Sequence, residues 1–262
     1  FCTLGEIADA MRAVFGEYCD SLKFESLQQD DNRRGREADP DFADLPGVRL
    51  VFAAEPESSV KLSSAIIKRF TGGEPLKVRK NFGDFFEFSY QFKLSLSFND
   101  KPAVPSQDEG TWRRLLLVMF ERRIPDEQKD PQLDAKLAAE ASGILNWLVD
   151  GFLEWREKRL SPPEAVRQAT EKYRAENDPL GQFLKDCTVR EKDCQVSGGE
   201  LYEAYRKWCD RAGHKPLSLT KFGTVLPDRG YEKVTKGTVR YLDLRLASAF
   251  DDLPSGGDNV DL

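Results

Sequence analysis

The sequence predicts an α/β fold with a parallel β-sheet, followed by a smaller module of helices and a β-hairpin. Residues 48–54 and 92–98 are predicted to be two buried strands, each followed by a polar residue, and the first of them is apolar on both faces. A helical pattern and a basic hairpin separate these runs, so the two strands can lie parallel. The turn residues Asn177, Asp178 and Pro179 then mark a boundary before a second group of elements.

Composition limits the classes of protein to consider. The chain has 262 residues, enough for one large and one small domain, and 40% of them are hydrophobic. No uncharged apolar run approaches the ~18 residues that cross a membrane, so no membrane association is expected. The five cysteines form no Cys-x-x-Cys pair and there is one histidine, which argues against a zinc site. Reduced thiols in a cytoplasmic protein are therefore expected.

The charge is unevenly distributed. The net charge of -6 is unusual for a nucleic-acid-binding protein, for which a basic surface is expected. However, residues 61–123 contain 12 Lys or Arg against 7 Asp or Glu, and residues 185–245 contain 13 against 9. Acidic residues are concentrated in 20–57, 126–178 and 250–262. The two locally basic segments are therefore the predicted nucleic-acid-binding segments.

In the first part of the chain, Thr3 fits a capping box with Glu6 and begins a helix with an apolar stripe. An exposed polar loop is predicted at 28–44. The elements predicted after the first strand are a helix at 63–70, a hairpin at 76–89 with its turn at 81–84, the strand at 92–98, a strand at 115–120 that ends the sheet, and a helix pair at 134–159 interrupted near Ser142-Gly143.

After a break at Ser161-Pro162-Pro163, a helix is predicted at 164–176. The second module is predicted to contain helices at 180–187, 199–212 and 218–226 and strands at 231–235 and 239–244. Helix, turn, helix and basic hairpin is the order of a winged helix. Tyr202, Tyr205 and Trp208 recur at helical spacing and are expected in its core.

Five segments together resemble the motor domain of superfamily 3 helicases, which are fused to primases in phages, satellite phages and large DNA viruses. In chain order, residues 50–57 resemble the Walker B strand, residues 67–74 with 78–79 the segment leading to the DNA-binding hairpin, and residues 94–102 the sensor strand. Residues 112–120 resemble the arginine-finger region and residues 140–151 the closing helices. Each motif is weak alone, but their shared order is fairly specific. The resemblance extends to about Asp178 and continues more loosely to Leu246.

The resemblance implies a P-loop NTPase (AAA+-like) sheet over residues 1–160, a helical linker at 161–178, a winged helix at 179–247 and a disordered acidic tail at 248–262. A P-loop requires G-x-x-x-x-G-K-[ST], and the chain instead opens with Phe1-Cys2-Thr3-Leu4. The sheet is therefore expected to lack its first part. The P-loop lies upstream of Phe1 or is absent, and the chain as written should hydrolyse ATP poorly.

Polar residues follow the two predicted parallel strands, where an open sheet binds its ligands. Glu55 is expected to activate the attacking water and to bind Mg²⁺, with Glu57 as an equal candidate for a nucleotide-side acid. Asn99 is expected to contact the γ-phosphate or the water as a sensor. The alternatives are a solvated acid at a strand end and a turn-forming Asn in Asn-Asp-Lys-Pro.

Arg113 and Arg114 match the family's arginine finger, which stabilises charge on the transferred phosphoryl group in a neighbouring subunit. The family spacing favours Arg113, although either residue could instead pair with Asp108 or Glu109. Lys68 is a weaker candidate for a phosphate contact, since it could also be a solvated helix residue.

The predicted hairpin carries Lys77, Arg79 and Lys80 on its first arm and Phe82 near its tip. In the family this hairpin enters the channel of a hexamer and contacts single-stranded DNA. The cations would contact phosphates and Phe82 could stack on a base. The alternative is an edge hairpin whose lysines prevent aggregation.

In the second module, Lys221 on the presumed recognition helix and Lys233, Lys236 and Arg240 on the wing suit phosphate contacts. An ordinary charged surface explains these four residues equally well.

The leading hypothesis is the C-terminal part of a phage or plasmid primase–helicase, which hydrolyses ATP with Mg²⁺ between the subunits of a homo-hexamer and moves along single-stranded DNA during replication. A primase domain is expected upstream or in a partner protein. One alternative is a non-catalytic DNA-binding or assembly protein with a degenerate ATPase domain. Another is a different P-loop ATPase that acts on protein or RNA.

Overall fold

The computed structural model describes residues 4–28, 40–54, 61–105, 107–122 and 124–247. The chain forms two compact units that divide between Arg174 and Ala175. Glu55 and Glu57 lie outside the described residues, as do residues 1–3 and the predicted acidic tail at 248–262. The predictions made for them therefore stay predictions.

The first unit alternates helices with short strands. Its elements are α1 (Leu4–Phe15), β1 (Cys19–Ser21), β2 (Leu50–Ala54), α2 (Ser64–Gly72), β3 (Leu76–Arg79), β4 (Phe85–Phe88), β5 (Lys93–Ser97), α3 (Glu109–Trp112), α4 (Leu133–Ala139), α5 (Ala141–Lys158) and α6 (Glu164–Glu176), whose last two residues fall in the second unit.

A parallel sheet in the order β1-β2-β5 lies in this unit. Val51 and Ala53 of the middle strand are buried, and Phe52, which points to the opposite face, is also buried. A strand covered on both faces explains the continuous apolar run of β2. Phe70 of α2 and Phe92 pack edge to face with their ring centroids 5.4 Å apart, which joins the helix to the sheet. The predicted α/β class with a parallel sheet is confirmed.

The predicted strand at residues 115–120 is wrong. These residues have no strand pairing, and four of their six side chains are between 49% and 57% exposed. A run of strand-forming residues becomes a strand only where a neighbouring strand shares its hydrogen bonds. Within the described ranges β5 pairs only with β2, and the Leu117 amide donates to Thr170 Oγ1 of α6 at 3.0 Å.

The predicted helix and hairpin between the two parallel strands are confirmed. Ser63 caps α2 by accepting a hydrogen bond from the Ile66 amide, and Gly73 ends the helix with φ of +83°. This left-handed conformation, which glycine adopts without strain, explains Gly73 at this position. Antiparallel β3 and β4 follow, and the turn between them includes a hydrogen bond from the Gly83 amide to the Lys80 carbonyl at 2.9 Å.

The predicted helix pair is also confirmed, with its interruption at Glu140 instead of Ser142-Gly143. Neither α4 nor α5 has a buried residue, and Trp147 and Phe152 of α5 are 67% and 53% exposed. A helix that is apolar around most of its circumference is normally covered. Within the described structure, α5 therefore has an exposed apolar surface.

The second unit contains α7 (Pro179–Cys187), β6 (Thr188–Ser197), α8 (Gly198–Arg211), α9 (Leu219–Asp228), β7 (Lys233–Lys236) and β8 (Thr238–Leu246). Its three strands form an antiparallel sheet in the order β6-β8-β7. The three predicted helices and the C-terminal hairpin are confirmed. Tyr205 is buried, and Tyr202 and Trp208 pack against the same core, as their spacing predicts.

Strand β6 was not predicted. Its residues from Arg190 to Asp193 are exposed and charged, which in sequence is more typical of a loop. The strand exists because β8 pairs with it along most of its length, with an irregularity between Arg190 and Gln195. Residues 190–193 therefore lack the alternation of apolar and polar side chains from which a strand is predicted.

Two cysteines are buried in this unit as free thiols. Burial raises the pKa of Cys187 to about 11, and it also raises the pKa of Cys209. Both thiols are therefore protonated near neutral pH, the unreactive form.

Candidate functional site

The carboxyl ends of the three parallel strands lie at one edge of the sheet. Ser21 of β1 aligns with Phe52, and Ala54, the last residue of β2, aligns with Ser97, the last residue of β5. Asn99 follows two residues later and is exposed. The end of β2 therefore lies beside the strand that leads to Asn99. This is the geometry in which residues from neighbouring parallel strands converge on a ligand.

The structure distinguishes the two arginines. Asp108 caps α3 by accepting a hydrogen bond from the Thr111 amide at 3.0 Å, and Arg113 ends this short helix. Arg114 turns back and donates from Nη1 to the Gly110 carbonyl. The guanidinium of Arg113 is exposed and makes no hydrogen bond or ion pair with the described part of the chain. Of the two side chains, that of Arg113 can therefore reach an external phosphate without breaking a contact.

Lys68 has a partner within the first unit. Its Nζ lies 2.8 Å from Oδ1 of Asp108, and both side chains are about 40% exposed, at 44% and 38%. A phosphate would therefore have to compete with Asp108 for this lysine. The pair joins α2 to the cap of α3, which also orients the segment that carries Arg113.

The β3–β4 hairpin separates its apolar and basic side chains by strand alternation. Leu76 and Val78 are buried on one face, while Lys77 and Arg79 are exposed on the other. Both cations lie over the ring of Phe85, with Lys77 Nζ at 5.2 Å and Arg79 Cζ at 5.0 Å from its centroid. This cation–π packing fixes the basic face of the hairpin.

The tip of the hairpin is fully exposed. Phe82 is 108% exposed and has a φ of 63°, a conformation that is uncommon for residues other than glycine. Beside it, Lys80 Nζ lies 2.6 Å from Asp44 Oδ1, and these side chains are 66% and 71% exposed. An exposed ion pair of this kind contributes little to stability, so Lys80 can exchange Asp44 for a phosphate at small cost.

The basic residues of the second unit do not all lie on one face. Lys221 is exposed in the first turn of α9, and Lys233 Nζ lies 3.5 Å from the Gly223 carbonyl of the same helix. In the β7–β8 register, Lys233 aligns with Tyr241 and Arg240 aligns with Val234. Because adjacent positions alternate, Lys233 and Arg240 point to opposite faces of the sheet. The side chain of Lys236 lies outside the described residues.

The described residues contain no group of three or more His, Cys, Asp or Glu placed to hold a metal ion. The predicted magnesium ligand Glu55 is not among these residues. Within the described ranges, no helix is both long enough and apolar enough to cross a bilayer.

Sequence comparison relates the second unit to a known family. Residues 175–253 match the Poxvirus D5 protein-like family. This match covers the predicted second module and begins at the division between the two units.

Three curated viral proteins, each named as a candidate helicase, are similar over a longer part of the chain. The protein of Acanthamoeba polyphaga mimivirus is 30% identical over 190 residues, which is 65% of this chain and 20% of the relative. The proteins of Frog virus 3 and of the Sputnik virophage are 27% and 26% identical and also match 65% of this chain. The chain spans about a fifth of the length of the relatives it matches.

Among solved structures, the A-form apo structure of the NrS-1 C-terminal region matches with a TM-score of 0.45 and 11% identity. The match covers 91% of this chain and 62% of that one. The family match and the viral relatives support a poxvirus D5-like helicase domain, in agreement with the resemblance that the sequence motifs predict.

Proposed function

We propose that this chain, which carries a domain of the poxvirus-like primase–helicase kind, is the C-terminal motor portion of a superfamily 3 primase–helicase that moves along single-stranded DNA during replication. Its similarity to viral proteins named as candidate helicases carries the proposal. The exposed basic hairpin and Arg113, which makes no hydrogen bond or ion pair within the described residues, supply the two chemistries that such a motor requires.

The hairpin is proposed to contact single-stranded DNA. Lys77, Arg79 and Lys80 would pair with phosphates and release their counterions. Phe82 offers an uncovered aromatic face, on which any base can stack without sequence preference. Because the ring of Phe82 is fully exposed, stacking on a base would remove from water apolar surface that the fold leaves exposed.

ATP with Mg²⁺ is the proposed cofactor. When bound, it supplies the γ-phosphoryl group and the cation that binds its oxygens. Asn99 would donate an amide N–H to a phosphate oxygen or hold the attacking water, and the planar Arg113 guanidinium would donate two N–H groups to phosphate oxygens. Glu55 would orient the water and bind Mg²⁺, with Glu57 as the alternative acid, and Lys68 would contact a phosphate after releasing Asp108.

The second unit is proposed to be a winged helix. The order helix, strand, helix, helix, strand, strand and the sheet order β6-β8-β7 support this architecture. Lys221 and Lys233, which both lie at α9, would contact the DNA backbone. Lys236 and Arg240 of the wing are further proposed contacts, with Arg240 on the opposite face of the sheet.

A homo-hexamer is proposed as the working assembly, since an arginine finger acts on the nucleotide of a neighbouring subunit. The exposed apolar side chains of α5 support a protein contact there, because large exposed apolar patches mark interaction surfaces. A primase domain, upstream in the same protein or in a partner, and a site of action in the cytoplasm of a bacterial cell or infected host complete the proposal.

The DNA contact can be measured on this chain by fluorescence anisotropy with a labelled single-stranded oligonucleotide. Replacing Phe82 with Ala removes a stacking face and should weaken binding about tenfold without changing its salt dependence. Replacing Lys80 with Ala should reduce the slope of log Kd against log salt by about 0.7, because one phosphate contact is lost.

Two matched variants serve as controls. Lys129→Ala removes another exposed lysine that pairs with an aspartate at 2.6 Å, and Tyr18→Ala removes another exposed aromatic ring. Both should bind DNA as the unmodified chain does. Equal binding by the hairpin variants and these controls would contradict the proposed DNA contact.

A further inference from the structure

The last two turns of α6 hold the segment between Asn99 and Leu117 at several points. The Leu117 amide donates to Thr170 Oγ1 at 3.0 Å, and this hydroxyl donates in turn to the Val166 carbonyl at 2.7 Å. The Tyr173 hydroxyl donates to the carbonyl of Pro102, three residues after Asn99. These contacts bracket residues 102–117, a segment that carries the candidate finger and begins three residues after the candidate sensor.

Between these points, α6 also contacts α3 directly. Tyr173 packs edge to face against Trp112 with their ring centroids 5.4 Å apart, and both side chains are buried. Arg174 donates from Nη1 to Glu109 Oε2 at 3.1 Å and from Nη2 to the Gln107 carbonyl at 3.2 Å. Arg174 thus binds both the side chain of Glu109, the first residue of α3, and the backbone of Gln107 just before this helix.

Helix α3 needs these contacts because it has only four residues. One helical turn does not persist in water without outside support, since nucleation is unfavourable. The Asp108 cap, the Lys68–Asp108 pair and the contacts from α6 supply such support. Arg113 follows directly on α3, so a rotation of this turn would move its guanidinium.

We propose that Tyr173 and Arg174 are positioning residues, which hold α3 so that Arg113 is presented to a nucleotide phosphate of a neighbouring subunit. This inference rests on the proposed function of Arg113. It assigns to α6 a role in that site that the local sequence does not indicate, because the partners of Arg174, Glu109 and Gln107, lie about 65 residues earlier in the chain.

Two variants test the proposal with modest disturbance. Tyr173→Phe keeps the ring on Trp112 but removes the hydrogen bond to Pro102, and Arg174→Ala releases Glu109 and Gln107. Hydrogen exchange in this chain should accelerate about three- to tenfold at the amides of residues 111–117. In the complete gene product, kcat for ATP should fall about tenfold while KM stays unchanged, because a finger that is displaced no longer stabilises the transition state.

The control variants make equivalent changes elsewhere. Tyr202→Phe removes a tyrosine hydrogen bond to the Leu217 carbonyl, which is 2.9 Å long and lies in the second unit. Arg167→Ala breaks an exposed pair with Glu164 on α6 itself. Both should leave the exchange of residues 111–117 and kcat unchanged. The proposal is overturned if Tyr173→Phe and Arg174→Ala behave like these two controls in the exchange measurement.

The Arg113→Ala variant tests the proposed function separately from the positioning role. If Arg113→Ala leaves ATP hydrolysis unchanged, or if the complete gene product hydrolyses no ATP, Arg113 is not a finger and no residue positions it for that role. If Arg113→Ala abolishes hydrolysis while Tyr173→Phe and Arg174→Ala retain full kcat, the finger stands and the positioning role of α6 is wrong.

Discussion

Replacing Arg113 with Ala is expected to reduce ATP hydrolysis by the complete gene product about a thousandfold, the loss typical of an arginine finger. The side chain is exposed and makes no hydrogen bond or ion pair with the described residues, so its removal should leave the stability of the first unit nearly unchanged. The measurement is kcat under saturating ATP and Mg²⁺, with thermal unfolding as a check on stability.

Arg114→Ala is the matched comparison, because the two arginines are adjacent and differ in their contacts. Arg114 donates to the Gly110 carbonyl, so its loss should disturb α3 moderately and reduce hydrolysis much less. Arg113→Lys should recover little activity, since an ammonium cannot bind two phosphate oxygens in the fork geometry of a guanidinium. An active Arg113→Ala variant beside an inactive Arg114→Ala variant would reverse the assignment.

Replacing Asp178 with Ala is expected to destabilise the second unit by about 3 kcal/mol, from the loss of a helix cap and of a partly buried ion pair. Asp178 accepts a hydrogen bond from the Gly181 amide at 3.0 Å. Its two oxygens also accept from Arg229, at 2.8 Å from Nη1 and 2.7 Å from Nη2. Both side chains are about one-fifth exposed, so water replaces these contacts poorly.

Chemical denaturation followed by tryptophan fluorescence would measure the change, since Trp208 packs against the core of this unit. Asp178→Asn keeps an oxygen for the cap and loses the charge, so it should destabilise less than Asp178→Ala. Gly181→Ala should also destabilise, because a Cβ there would lie 2.2 Å from Asp178 Oδ2. Asp126→Ala, which removes an exposed pair with Lys129, should change little. Equal unfolding midpoints for Asp178→Ala and Asp126→Ala would contradict the expected role.

Elements with a strong local signal were predictable from sequence. The apolar run of β2 predicts its burial on both faces, and the helix predicted at 63–70 corresponds to α2. Residues 115–120 carry the same signal as β2 but are not a strand, because pairing depends on a neighbour that the local sequence does not specify. Strand β6 shows the converse, since pairing with β8 makes a strand of a charged segment.

The sequence likewise predicts some features of the candidate site and not others. Strand-end position and motif order predict Asn99 and the arginine pair, and strand alternation explains the basic face of the hairpin. The family spacing favours Arg113 over Arg114, and the structure adds a hydrogen bond from Arg114 to Gly110 that sequence spacing does not encode. The hydrogen bonds of Tyr173 and Arg174 join residues 65 to 71 positions apart, and no local pattern encodes them.

The most direct test of the helicase proposal is ATP hydrolysis by the complete gene product with and without single-stranded DNA. A motor that couples the hairpin to the nucleotide site should hydrolyse ATP faster when DNA is bound, and Phe82→Ala should need more DNA to reach the same rate. DNA binding that neither requires ATP nor changes its hydrolysis would contradict the proposal. That result would instead identify a non-catalytic DNA-binding or assembly protein.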